Sequence, residues 1–502
     1  MIVDGAARDR PRDPALEEAF DHVVVGSGAA GATAAMVLAE SGASVAVVEE
    51  GPAVRTEEFT DRAFPTLRTL YRDMGGQIAR GRAAIPVFQG SCLGGSTVVN
   101  SAIMWRLPED VWAAWRDDFG LGDALPLAEL ERNFDRIETD LSVAPTPEEV
   151  WGGNNRLMAA AGTALGVRAT PMRRAVVGCR GSARCQSGCP HGAKQSMALT
   201  YLPRAEQHGA VLFVGARADR AEMAGDRAVG VAGRFSGGGG FRLRARRSVV
   251  VAGSATQTPG LLRRSGVRSS QVGAHFQGHP GASVIGLFDQ PVGLWSGATQ
   301  GFESDQHRLD GRFKVESVAL MPELLIANLP GVGARWLEAI AQAGHMAMWA
   351  VDMRAYAEGR IDPRRDRPRI RFDLERRDVA NLRRGLAFTA EMMFAAGARA
   401  IMPLVHGLPE VIERPDDVRL VRDGPDDARA YSMALTHLFG TARMAPRPED
   451  GVVGPDFAVH GTRNLYVVDS SVFPTNTGVN PQLSIMGMAM LAATRLAEGD
   501  HG

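Results

Sequence analysis

The chain has 502 residues, 45% hydrophobic and 23% charged, which is ordinary for a globular protein and long enough for two or three domain-sized units. A formal net charge of −1 gives no global pull toward nucleic acid or an acidic membrane. Four cysteines in such a length argue against a disulfide framework.

Taken in order, residues 1–20 carry many charges with Pro11 and Pro14, lack the apolar core of a signal peptide, and read as an N-terminal extension. An apolar strand from His22 to Val25 then enters Gly26-Ser27-Gly28-Ala29-Ala30-Gly31. A helix with Ala34, Val37 and Leu38 on one face stops at Gly42, and a second buried strand, Val45 to Val48, ends in Glu49 and Glu50. In such a unit the first glycine makes the tight turn and the second lets a pyrophosphate approach the backbone. The third lets the helix pack closely, and an acid about twenty residues on holds a ribose hydroxyl pair. The helix N-terminus offers N–H groups and a positive dipole end to the phosphates. Glycine triplet, strands, helix and acid in this order point to dinucleotide binding.

A second glycine cluster, Gly90 to Asn100, has the small residues that leave room for a ring system. Glu109 to Phe119 reads as a helix with Trp112 and Trp115 in the core, and residues 125–165 as amphipathic helix. Residues 211–247 read as a β-meander, followed by a buried strand, Val249 to Gly253, whose C-terminal end could touch the cofactor. From about 285 to 430 the composition turns apolar and soft, with Met321, Leu324, Leu325, Trp336, Met346, Met348, Trp349 and Met353 as core or as an adaptable pocket. Pro322, Glu323, Pro330, Arg335 and Glu338 interrupt this region, so it is not a membrane span, and the expected location is cytoplasmic. The run Arg364 to Arg377 alternates with Asp366, Asp373 and Glu375, then Asp378, and reads as a solvated, self-compensated surface. A helix is expected over Asp378 to Ala396. Near the C-terminus come His437 to Thr441, a strand ending in Asp469-Ser470, a loop with Asn480-Pro481, and a helix over Leu483 to Ala497. That helix would point its positive end at a ligand.

Four blocks in this order, the Gly26–Gly31 turn, the Gly90–Asn100 cluster, Gly253-Ser254-Ala255 with Thr258-Pro259 and Leu261-Leu262, and His437 with Asp469-Ser470 and Asn480-Pro481, resemble the glucose–methanol–choline (GMC) oxidoreductase family, and the likeness covers almost the whole chain. Within it, the Cys179 to Lys194 segment and the Met/Trp-rich region most resemble long-chain and bulky primary-alcohol oxidases. The resemblance implies FAD along Gly26, Ser27, Gly28, Ala30, Gly31, Glu49 and Glu50, with Ala218 beside the adenine. The flavin would meet Gly94, Gly95, Ser96, Asn100, Ser101 and Ala102, then Ala252 and Gly253, with Asp469, Ser470, Asn480, Pro481, Gln482 and Ser484 on its other edge. Members that hold flavin covalently carry a histidine where Val99 stands, which implies non-covalent FAD here.

The implied fold is α/β: a Rossmann-like FAD-binding domain with a parallel sheet and β-meander, and an α+β substrate domain on an antiparallel sheet. FAD binding is expected over 21–284, including the Cys-rich segment, substrate binding over 285–430, and a return to the FAD domain over 431–502. The implied reaction oxidises a bulky or apolar primary alcohol to the aldehyde, with His437 as base, Asn480 orienting the oxygen, and O2 or another electron acceptor as second substrate. A sugar or secondary-metabolite dehydrogenase and a lyase on the same fold are the alternatives. His191, His279 and His460 are expected to be structural. Cys179, Cys185 and Cys189 could be buried thiols, a local disulfide, an iron–sulfur site, or, with His191, a zinc site. No metal is assigned to the active site.

Overall fold

The structure is a computed structural model, described over residues 1–7, 15–364 and 367–499. Two large sheets dominate the chain, beside a two-stranded one of Val143–Pro145 and Arg173–Ala175.

In the first, Ile2–Asp4, Val211–Val214, Val45–Val48, Leu16–Val25 and Gly240–Val251 lie side by side, all parallel. Gly240–Val251 is long enough to hold two neighbours along its other edge. Arg227–Phe235 pairs antiparallel with its first half and Leu465–Val467 parallel with its last three residues. Val23, Val24, Val45, Val47, Val249 and Val250 are fully buried, so these parallel strands have no solvent side. The parallel strands all end at one edge. The Gly26, Glu49, Gly253 and Asp469 turns therefore converge there, at the point where chain direction divides about Leu16–Val25.

The second sheet runs Arg360–Asp362, Arg369–Arg371, Gln77–Arg80, Ala84–Val87, Met433–Phe439, Gln277–Leu287, Met346–Met353, Phe313–Ser317, Phe302–Ser304 and Thr170–Pro171. Helices Gly152–Leu165 and Arg376–Ala395 cover one face. Period-2 alternation fixes what each strand gives to each side. On Met346–Met353, Ala347, Trp349 and Met353 join the core under the helices, while Met348, Ala350 and Asp352 face a cavity.

Four expectations change. Residues 1–20 are not a free extension: Ile2–Asp4 adds an edge strand and Leu16–Val25 starts before His22, while Pro11 and Pro14 lie outside the described residues. Val211–Val214 belongs to the parallel strands, so the meander starts at Ala216 and its last strand runs unbroken to Val251. The second sheet takes Gln77–Arg80 and Ala84–Val87 from the N-terminal half and Met433–Phe439 from the C-terminal block. Gln277–Leu287 spans the boundary expected at 285. Local patterning shows that a segment is a strand; which sheet it joins depends on partners far away in sequence. No helix among the described residues is long and apolar enough to cross a membrane.

Candidate active site

Between the two sheets lies a cavity of about 760 Å³. Its first wall is built from glycine turns. Gly26 has φ of +103°, and a Cβ on Gly31 would overlap the Gly26 carbonyl oxygen, so the helix Ala29–Glu40 can start directly against the turn. Gly95 has φ of +55°, and a Cβ there would come within 2.8 Å of the Gly28 Cα; the two glycine loops lie back to back. Gly26, Ser27, Gly28, Ala30, Glu49, Glu50, Gly95 and Ser96 face the cavity. Gly31 and Gly94 sit behind that surface, Gly94 donating its N–H to Ser27 Oγ at 3.0 Å.

Glu49 is buried, and that raises its carboxyl above the usual range even though it accepts hydrogen bonds from Ser27 N, Ser27 Oγ and Gly51 N. Glu50 pairs with Arg72 at 2.5 Å. Ala218, Ala252 and Gly253 line the same end, with Arg217, Gln257 and Arg264, none of which the sequence singled out.

Asn100, Ser101, Asp469, Ser470, Pro481 and Gln482 form the middle of the cavity. Asn100 donates to Gln482 Oε1 at 2.6 Å and accepts the Ala102 N–H at 3.0 Å. Asp469 accepts from Ser254 N, Thr258 Oγ1 and Ser471 N, so it clasps the ends of two parallel strands together. Ala102 and Ser484 are buried outside the lining, and Ser484 Oγ and Ser101 Oγ have no hydrogen-bond partner among the described residues. Orphaned buried hydroxyls beside a turn that tolerates no Cβ are the marks of a wall shaped for a large polar ligand. Val99, with no nucleophile, also faces in.

The other end of the cavity is polar. His437, on Met433–Phe439, and His279, on the paired strand Gln277–Leu287, bring their Nδ1 atoms to 3.1 Å. Asp352 Oδ2 lies 3.5 Å from His437 Nδ1 and 3.8 Å from His279 Nδ1. His279, expected to be structural, lines the cavity beside His437, because its strand pairs with the one carrying His437. Burial pushes the His279 imidazole down to about 3, so it is neutral. Its Nε2 accepts the Gly478 N–H at 2.9 Å, which places its single proton on Nδ1. Burial would raise the Asp352 carboxyl, but the His437 and His279 imidazoles bring it down to about 2. The three atoms lie close enough to hold one ion, yet a protonated His279 Nδ1 has no lone pair to give; the arrangement suits a proton better than a metal.

Asn480 Oδ1 accepts from Lys314 Nζ at 2.5 Å, and Lys314 in turn pairs with Glu303 at 2.7 Å and Glu316 at 2.6 Å. Burial would strip the charge from this fully buried lysine; the two carboxylates overcome that and hold it above the usual lysine value. With Oδ1 engaged, Asn480 turns its NH2 donors elsewhere. Lys314 and Glu316 went unnoticed in the sequence, although they alternate with core-facing Phe313 and Val315 in a period that could have shown them.

In the Cys-rich segment all three thiols are free. Among the described residues, the grouping able to hold an ion is the His279–Asp352–His437 one, not the cysteines. Burial raises the Cys185 thiol, but the Arg174 and Lys194 cations more than offset this and leave it below the usual value. Lys194, lowered to about 8 by burial, donates to the carbonyls of Val98, Asn100 and Cys185, and so pins the second glycine cluster from behind. His460 Nε2 donates to Ala445 O at 3.0 Å, away from the cavity lining.

Models of the two GMC oxidoreductase domains match residues 20–281 and 355–489. The chain belongs to the GMC oxidoreductase family. It is 37% identical over 476 residues to an uncharacterized GMC-type oxidoreductase of Mycobacterium tuberculosis, covering 94% of this chain and 75% of that one. It is 26% identical over 506 residues to long-chain-alcohol oxidase FAO4A of Arabidopsis thaliana, covering 95% of this chain and 68% of that one. A solved structure of Aspergillus oryzae formate oxidase shares the fold with a TM-score of 0.72 at 17% identity, covering 96% of this chain and 98% of that one. The protein is thus a GMC oxidoreductase with FAD as cofactor, and the glycine-lined half of the cavity fits it.

Proposed function

We propose that this enzyme oxidises a primary alcohol with a bulky or apolar body to the aldehyde. The observation that carries this reading is where the polar cluster sits. His437 and Asn480 face one end of the cavity, and Val318, Leu320, Met321, Leu324, Met348 and Met433 line its second wall. An apolar chain lying along that wall would bring its terminal hydroxyl to the two polar groups.

FAD, when bound, supplies the acceptor for the hydride from the alcohol carbon. His437 takes the hydroxyl proton, and the ionised Asp352, 3.5 Å from its Nδ1, steadies the imidazolium that results. The neutral His279 packs against His437 and holds its ring in place. Asn480, its carbonyl held by Lys314, offers N–H donors to the oxygen as alkoxide character develops.

The test is the absorption spectrum of the holoenzyme mixed without oxygen with long-chain and aromatic primary alcohols. Bleaching of the flavin bands is the expected result, and their recovery in air identifies an oxidase. Bleaching that persists in air points to a dehydrogenase using another acceptor. Bands that no alcohol bleaches, with the alcohols still consumed, would replace this reading with the lyase one.

Glu49→Ala should weaken FAD retention by about 10- to 100-fold, the cost of one or two hydrogen bonds to a charged group, and leave the reduction rate of loaded enzyme unchanged. Fluorescence titration of apoenzyme with FAD measures it; wild-type affinity would remove Glu49 from the cofactor site.

His279 also links stability to pH. Its folded value of about 3 lies below its ordinary 6.5, so the unfolded chain takes up a proton that the native one refuses. This contribution is present above pH 6.5 and is lost progressively as pH falls toward 3. Between pH 7 and pH 5 it amounts to about 2 kcal/mol. The thermal midpoint of wild type should fall more over that interval than that of His279→Asn.

A further inference from the structure

The arginine-dense run is not self-compensated in three dimensions. Its acids turn away from most of its arginines: Asp373 binds Arg82 outside the run, Glu375 is used by Arg377 at the run's far end, and Asp378 accepts the backbone N–H groups of Tyr356, Ala357 and Glu375. Asp366 lies outside the described residues, and in sequence it is matched by Arg365. The arginines instead gather. A second cavity, of about 340 Å³, has Arg263, Arg360, Arg364, Arg369 and Arg371 in its wall, with Asp362 as the one acid among the described lining residues. It lies between the helix Thr258–Arg264 and the hairpin of Arg360–Asp362 and Arg369–Arg371.

Strand register makes the excess charge acute. Asp362 stands opposite Arg369, a favourable pair, but Arg360 stands directly opposite Arg371. Arg371 is also opposite Arg80 on the next strand, so three arginines form a row across three strands. Like charges facing each other across a ladder destabilise it. Arg263 adds a buried Nε with no hydrogen-bond partner among the described residues. Nothing in the chemistry proposed for the alcohol site uses these groups.

We propose that this cavity is a binding site for a small polyphosphate anion, separate from the flavin cavity. Guanidinium forks match phosphate oxygens in pairs, and a bound polyanion would turn the facing Arg360–Arg371 pair from repulsive to favourable. Arg360 stands about 5 Å across the ladder from Arg371, and Arg369 about 7 Å along the strand from it. One phosphate covers too little of that span, whereas a chain of phosphates follows it.

The experiment is isothermal titration of the FAD-loaded enzyme with inorganic tripolyphosphate and with orthophosphate at constant ionic strength, following flavin absorbance to show that FAD stays bound. Tripolyphosphate should bind saturably at one site and at least ten-fold tighter than orthophosphate. Arg371→Gln, at the centre of the row and exposed, should weaken tripolyphosphate binding ten-fold or more, while Arg132→Gln on another surface should leave it unchanged. Equal affinity for the two anions, or equal loss in the two variants, would overturn the proposal and leave a solvated cationic face. Binding seen only with oligonucleotides would overturn it in favour of a macromolecular partner.

Discussion

Replacing His437 by alanine is expected to slow anaerobic flavin reduction by about two to four decades, the usual contribution of one well-placed general base. FAD should remain bound, because the glycine turns and Glu49 that form its end of the cavity do not touch His437. Stopped-flow absorbance of the loaded variant separates the two effects in one experiment. The deficit should shrink at high pH, since an alcohol that must lose its proton to water gains from hydroxide. A variant that reduces at the wild-type rate would take His437 out of the reaction and shift attention to His279, 3.1 Å away.

The second large effect is expected at Lys314. Lys314→Met leaves Glu303 and Glu316 buried without their cation, and breaking such a pair costs about 3–5 kcal/mol. The single variant should therefore show a markedly lower thermal midpoint. Combining Lys314→Met with Glu303→Gln and Glu316→Gln removes the charge imbalance and should recover most of the stability. It should not recover the reduction rate, because Asn480 Oδ1 has still lost the donor that fixes its amide. If Lys314 acts through Asn480, the same three changes made on Asn480→Ala should slow reduction little further. A full additional loss there would mean that Lys314 acts on the site by another route.

Local chemistry explains what was legible in the sequence. The turn Gly26 to Gly31 declares itself because φ of +103° and the close approach at Gly31 admit no other residue, and such constraints act over a few neighbours. Helices such as Glu109–Phe119 and Gln482–Glu498 follow from periodicity and end signals of the same short range. The order of the four blocks then sufficed for family, cofactor and fold class, and it placed His437 and Asn480 at the cavity.

What the tertiary structure alone decided is the surroundings of those two residues. His279, Asp352 and Lys314 come from strands 158, 85 and 166 positions from the groups they touch or face, and a strand's sequence does not state its neighbour or its register. A one-residue slip in register would turn Asp352 into the core and Trp349 toward the cavity. The arginine run makes the same point from the other side. Read along the chain its charges cancel, but the ladder sets Arg360 against Arg371, while Asp373 goes to Arg82 and Asp378 to backbone N–H groups. Electrostatic energy depends on distance in space, and for these residues only the pairing of strands fixes it.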